Sequence, residues 1–191
     1  MLYKKLQSLN HLTPLLIQSA IDELAERGEH NVVTGTIGYL AKPVEILNEY
    51  LTARGLPEAR NCILFSRPGT IVQDIHIDCT SADNLELVNT ALNFPWENCD
   101  NYMYWYQGDY NLVAKEYIGV DKFKRKYAVL DWLSEPTIID RTIIDAPTLV
   151  KVSVPHSVEN VPQHRKLLTF RFNNNPAYDA VLDAFSKLDN A

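Results

Sequence analysis

The chain has 191 residues, 46% hydrophobic and 22% charged, which supplies a sizeable core and argues against disorder. A net charge of −6 excludes a global basic field that would draw the protein onto nucleic acid and leaves room only for a local basic groove. Cys62, Cys79 and Cys99 are odd in number and lack C-x-x-C spacing, so ordinary thiols in a reducing compartment are expected rather than a disulfide framework.

From the N-terminus, MLYKKLQSLNHLTPLL lacks the apolar run of a signal peptide, and no segment approaches about 20 consecutive apolar residues. The expectation is a soluble, cytoplasmic single domain without membrane association. Leu15, Leu16, Ile17, Ile21, Leu24 and Ala25 recur at helical spacing and predict a helix over 13–27, with Thr13 as N-cap, Pro14 at the first helical position and Gly28 as stop. A second helix is predicted over 43–54, where Val44, Leu47 and Leu51 share a stripe and Gly55 follows. Short runs rich in β-branched and aromatic residues then predict strands at 61–66, 70–78, 87–94, 102–107, 148–154 and 165–172. Prolines and glycines fall between or at the edges of these runs, as turn residues should. Lys122, Lys124, Arg125 and Lys126 form the densest basic cluster and read as a solvated helix face or turn. A last helix is predicted over 176–188.

This order gives a mainly β protein with flanking helices (α+β): N-terminal helices within about 1–56, a β core over about 61–172 and the C-terminal helix. Seven or eight short antiparallel strands close as a sandwich, barrel or jelly roll.

Within the β region, QDIHIDCT (73–80) alternates polar and apolar residues. Asp74, His76 and Asp78 thereby share one face of a strand, with Ile75 and Ile77 on the other. A second histidine, His156, ends the β run VSVPH, and the chain resumes at RKLLTFRF (165–172). Two histidines and one carboxylate from facing strands form a facial triad, which leaves coordination positions open as in non-haem Fe(II) oxygenases. Arg165 follows His156 by nine positions, and its planar fork suits the far carboxylate of a metal-chelating dicarboxylate. Arg171 has the same strand parity as Arg165. His11 and His30 read as solvated, and His164 points away from Arg165 on a strand. Cys79 adjoins the triplet without an activating base in the sequence.

The order H-x-D, Pro-His-x-Val, then Arg on an aliphatic and aromatic strand resembles the Fe(II)/2-oxoglutarate-dependent dioxygenases. Within them it is most similar to the prolyl-hydroxylase and aspartyl/asparaginyl-hydroxylase-like branch. The segments that carry the likeness are HID (76–78), PHSVENVPQHRKLLTFRF (155–172) and ALNFPWENCDNYMYWYQ (91–107), the last resembling a strand pair of phage and bacterial members. The resemblance implies a double-stranded β-helix (jelly-roll) core. It also implies His76, Asp78 and His156 as catalytic iron ligands, and Arg165 on 2-oxoglutarate. Asn93 is the candidate to complete the co-substrate pocket, with Tyr104 or Tyr106 beside it. Arg171, where relatives often carry an aromatic, assists Arg165 or reaches substrate. Trp96, Trp105 and Tyr106 are candidates for a substrate mouth, or are core.

The implied activity is hydroxylation of an amino-acid side chain, in a peptide or free, or of a small metabolite, with Fe(II), 2-oxoglutarate and O2 consumed and succinate and CO2 released. Nucleic acid is disfavoured as substrate because the acidic chain has no obvious basic track. The residues also admit a non-catalytic jelly-roll binding or structural protein, and a cupin-like metal enzyme that does not use 2-oxoglutarate. Oligomeric state is open.

Overall fold

The computed structural model describes residues 1–29, 35–67, 74–81, 85–118, 124–159 and 163–189. Among the described residues, thirteen strands and three α-helices follow in chain order: β1 Tyr3–Lys5, α1 Thr13–Glu26, β2 Gly35–Leu40, α2 Lys42–Thr52, β3 Ala59–Arg67, β4 Cys79–Ser81, β5 Glu86–Leu87, β6 Thr90–Glu97, β7 Tyr102–Gln107, β8 Tyr110–Ile118, β9 Lys124–Trp132, β10 Thr137–Ile143, β11 Thr148–Lys151, β12 His156–Val158, β13 Arg165–Phe172 and α3 Tyr178–Asp189. Every strand pairing among the described residues is antiparallel, and the protein is mainly β, as its sequence predicts. No helix among the described residues is long and apolar enough to cross a membrane.

Six strands in the order β1-β11-β6-β13-β3-β2 form the larger sheet, and three, β10-β7-β12, the smaller. The larger sheet is sided by the alternation in β13. Leu168 and Phe170 bury one face with Leu64, Leu92, Phe94 and Leu149 against Leu16 of α1, Leu47 and Leu51 of α2, and Phe185 of α3. Burial of each such side chain contributes roughly 1.5–3 kcal/mol. Leu167, Thr169 and Arg171 take the opposite face, which looks toward the smaller sheet. There Ala91, Val150 and Leu167 pack with Met103 and Trp105 of β7. Trp105 is fully buried. It stacks on Tyr3 at 5.6 Å between ring centroids and donates its indole N–H to the Lys151 carbonyl at 2.9 Å. The strongest hydrophobe between the sheets is therefore also hydrogen-bonded in place.

The first predicted helix begins differently from expectation. Thr13 lies inside α1, whose entry is a 3₁₀ turn over Gln7–Leu12, and no side chain caps it. Nor does α2 have a local side-chain cap. Instead the buried carboxylate of Glu23, reaching from α1, accepts the N–H groups of Ala41 and Lys42 at 3.0 and 2.8 Å. A carboxylate at a helix N-terminus satisfies donors that lack intrahelical partners and complements the helix dipole. Gly28 and Gly55 adopt φ of 73° and 65° just beyond these helices, a conformation glycine takes without steric cost.

The strand predicted over 70–78 is corrected. Residues 70–73 lie outside the described residues, and 74–78 form a single antiparallel bridge, His76 to His156, with reciprocal backbone hydrogen bonds of 2.9 and 2.8 Å. The basic cluster is also corrected: Lys124, Arg125 and Lys126 open strand β9 rather than a helix face or turn, and Lys122 is outside the described residues. Strands β8 and β9 pair over nine residues each as a ribbon of their own. All three cysteines are free thiols.

Candidate metal centre

Among the described residues, His76, Asp78 and His156 form one group whose ligand atoms all lie within 4.8 Å of one another. The bridge between His76 and His156 sets two backbones side by side, and the rings stand 4.4 Å apart, tilted. Asp78, two residues on, has its own N–H bound to the Val152 carbonyl at 3.2 Å. A carboxylate is thereby pinned beside both imidazoles. His76 Nε2 lies 3.6 Å from Asp78 Oδ1 and His156 Nε2 lies 4.0 Å from the same oxygen.

Each histidine is oriented by a carbonyl two residues earlier in its own chain segment. His76 Nδ1–H donates to the Asp74 carbonyl and His156 Nδ1–H to the Val154 carbonyl, both at 2.9 Å. With the proton on Nδ1, Nε2 is the lone-pair nitrogen on both rings, and both Nε2 atoms face the carboxylate. Metal-ligating histidines commonly show this arrangement, because the second hydrogen bond fixes tautomer and ring angle. It gives Asp74 its place: its backbone, not its exposed carboxylate, serves the site.

Asp78 divides its oxygens. Oδ1 faces the histidines, and Oδ2 accepts a charge-assisted hydrogen bond from the Arg171 guanidinium. Burial pushes the Asp78 carboxyl up, but Arg171, His156 and His76 together outweigh it and hold the group below the ordinary carboxylate range. Burial likewise lowers Arg171, against the opposing pull of Asp78. The His156 imidazole is pushed down to about 4, first by burial and then by neighbouring His76. It is therefore neutral near pH 7, the state in which imidazole donates to a metal. The donor set is two imidazoles and one carboxylate, a nitrogen and oxygen set that suits iron and other intermediate divalent ions.

The inner face of the larger sheet brings some of the sequence candidates to the same side. Asn93 is buried, directly opposite Thr169, and accepts the Thr169 hydroxyl at 2.9 Å. Arg165 is buried at the start of β13, six residues and so about 20 Å of strand before Arg171. Its Nε has no hydrogen-bond partner, and its guanidinium reaches the Cys99 thiol, which itself donates to the Lys166 carbonyl at 3.0 Å.

Tyr104 is not brought to this face. It pairs with Ser157, one position along from the His156–Trp105 pair, and successive strand residues point to opposite sides. Its ring lies between Tyr102 and Tyr106. Tyr106, of the same parity, shares a hydrogen bond of 2.9 Å with the Ser157 hydroxyl. Trp105 belongs to the core beneath His156, and Trp96 packs against the helical layer with the Lys166 ammonium over its ring. His164 bonds Ser66 and His11 packs on Tyr50, both away from the cluster, and His30 is outside the described residues. Burial and then Asp78 push the Cys79 thiol up, which disfavours a nucleophilic thiolate there.

Sequence reasoning missed Asn61, whose Cα partner across the sheet is Arg171 and whose Oδ1 is buried without a hydrogen-bond partner. Its strand parity is readable in NCILFS, but its register against β13 is not. Compared with models of known protein families and with curated proteins, the chain matches none.

Proposed function

We propose that the protein is an Fe(II)- and 2-oxoglutarate-dependent dioxygenase that hydroxylates an amino-acid side chain or small metabolite. The observation that carries this reading is the coupling of the triad to its surroundings. Both Nδ1 protons are bound to carbonyls, both Nε2 atoms turn to one Asp78 oxygen, and Arg171 occupies the other. A coincidental surface cluster has no reason to fix all three side chains at once.

The strand pairings support a jelly-roll core. From outside inward they nest: β3 with β13, His76 with His156, β6 with β11, and β7 with β10. Eight segments folded back in this order, with pairs alternating between two sheets, make a double-stranded β-helix. On this reading the chain is one domain, with the N-terminal helices and α3 buttressing the larger sheet.

Iron(II) with 2-oxoglutarate and O2 supplies the oxidising power for C–H hydroxylation, with succinate and CO2 released. His76, Asp78 and His156 would hold the ion on one side and leave the rest of its coordination sphere open. Arg171 occupies Asp78 Oδ2 and so would leave Oδ1 as the oxygen available to the ion. Arg165 is a buried cation with spare donor capacity, fit to neutralise the distal carboxylate of the co-substrate. Asn93, held by Thr169, borders the same space. Apolar Val150, Leu167 and Trp105 exclude water behind it. Cofactor enzymes divide labour in this way, the protein supplying orientation and electrostatics.

Succinate release from 2-oxoglutarate under air with added Fe(II) tests the proposal. Wild-type protein is expected to produce it, more so with a matching substrate from a panel of peptides and metabolites. Asp78→Ala should abolish it. Metal binding indifferent to 2-oxoglutarate would favour a cupin-like enzyme, and binding of neither a non-catalytic module.

A further inference from the structure

Strand β3 carries one residue more than β13 at the end where β13 reaches Asp78. Asn61 pairs with Arg171 and Ala59 with Phe172, so Arg60 is the extra residue of a β-bulge. A bulge sets two residues against one, here Arg60 and Asn61 against Arg171, and re-aims the inserted side chain. Ala59 and Phe172 are buried in the core beneath the helices, whereas Arg60 is exposed. The Arg60 and Arg171 guanidinium groups are close enough to repel each other, which brings the Arg60 charge to the side that Arg171 shares with the triad.

The two arginines differ in what compensates them. Arg171 is committed to Asp78. Arg60 has no hydrogen-bond or ion-pair partner among the described residues. Glu58, the carboxylate two positions earlier, instead accepts the Thr52 hydroxyl at 3.1 Å. An uncompensated cation held beside another is relieved by an incoming anion, and arginine's planar fork binds a carboxylate or phosphate through two parallel hydrogen bonds. The centre itself is open to a solute: the His76 and Asp78 side chains are 26% and 19% exposed. Arg165, the cation suited to the co-substrate, begins β13 about 20 Å of strand from Arg171, which leaves Arg60 available for a second anion. We propose that Arg60 binds an anionic group of the substrate, a carboxylate or a phosphate, and so selects anionic substrates for the metal centre. This rests on the proposed reading of His76, Asp78 and His156 as the reacting centre.

Binding is read by ligand-observed NMR on protein loaded with Zn(II) and saturating 2-oxoglutarate, which separates it from turnover and keeps the probes out of the co-substrate pocket. The probes are butyrate and butyl phosphate, set against butanol and butyramide. At least one anion is expected to bind about tenfold more tightly than both neutral probes, the scale of one hydrogen bond to a charged group. The tighter of the two anions identifies carboxylate or phosphate as the group read. Arg60→Gln should remove the preference and Arg60→Lys keep part of it; Arg60 is exposed, so neither change disturbs packing. With Mn(II) in place of Zn(II), the proton signals of the bound anion should broaden, because the paramagnetic ion is its neighbour. Anions bound no more tightly than butanol and butyramide, a preference unchanged in Arg60→Gln, or no broadening by Mn(II) would overturn the proposal. A weakened 2-oxoglutarate affinity in Arg60→Gln would also overturn it, by making Arg60 a co-substrate residue. The Fe(II)/2-oxoglutarate absorption of the wild-type protein, measured separately, reports on the parent reading alone.

Discussion

At the residue scale the site depends on charges that compensate one another out of water. Asp78 and Arg171 are a partly buried pair, and removing one partner strands the other. Arg171→Met should therefore destabilise the protein by about 3–5 kcal/mol, while the double variant Arg171→Met/Asp78→Leu recovers most of the loss; urea unfolding of the metal-free proteins checks both. His156 gives a pH dependence with a definite sign. Its imidazole titrates near 6.5 when unfolded and about 4 when folded. Between these values the unfolded chain holds the extra proton, so metal-free stability falls as pH drops from about 6.5 to about 4, by up to roughly 3 kcal/mol. His156→Leu should flatten that part of the thermal-melting profile. His76→Ala should weaken Fe(II) binding by at least about a hundredfold, more than the loss of an outer hydrogen-bond partner commonly costs; competition with a chelator measures it. The three ligand candidates were legible in sequence because alternation placed His76 and Asp78 together and His156 followed the β run VSVP, although it opens β12 rather than ending a strand. The carbonyls of Asp74 and Val154 were not, since every residue has a carbonyl. The Arg171 pairing with Asp78 depends on a register that alternation does not set.

At the element scale, β7 and β13 position the chemistry. Both were predicted with their observed limits, since each is a short aromatic or aliphatic run between turn residues. Trp105 links them: it lies opposite His156 on β12 and packs in the cluster that contains Leu167 of β13. Trp105→Ala should cost about 3–5 kcal/mol and loosen His156. A chemical-shift change at the His156 ring in metal-free protein, absent in the equally core-deleting Phe185→Ala, would distinguish the two effects. Strands β8, β9 and β10 escaped sequence reading for a physical reason. Leu112, Val113 and Ala114 break alternation, three cations open β9, and β10 exposes Ile138 and Ile139. None of these patterns marks one buried face, so periodicity had little to register.

For the molecule as a whole, helices, the larger sheet and the smaller sheet form successive layers, and the polar cluster lies between the sheets. Its apolar surroundings strengthen every interaction among His76, Asp78, His156 and Arg171 and, on the proposed function, would strip water from a co-substrate. The mainly β architecture with flanking helices was legible because strand and helix periodicities separate along the chain. The nesting of strand pairs was not, because pairing partners leave no local trace. Anaerobic titration of Fe(II) and 2-oxoglutarate, followed by visible absorption, tests directly whether the triad and Arg165 form a 2-oxoglutarate-dependent iron site. Wild-type protein should show a weak charge-transfer band that needs both additions, saturates at one iron per chain, and disappears in His76→Ala and Arg165→Leu. Absence of the band in wild-type protein, or its persistence in the His76 variant, would contradict that assignment.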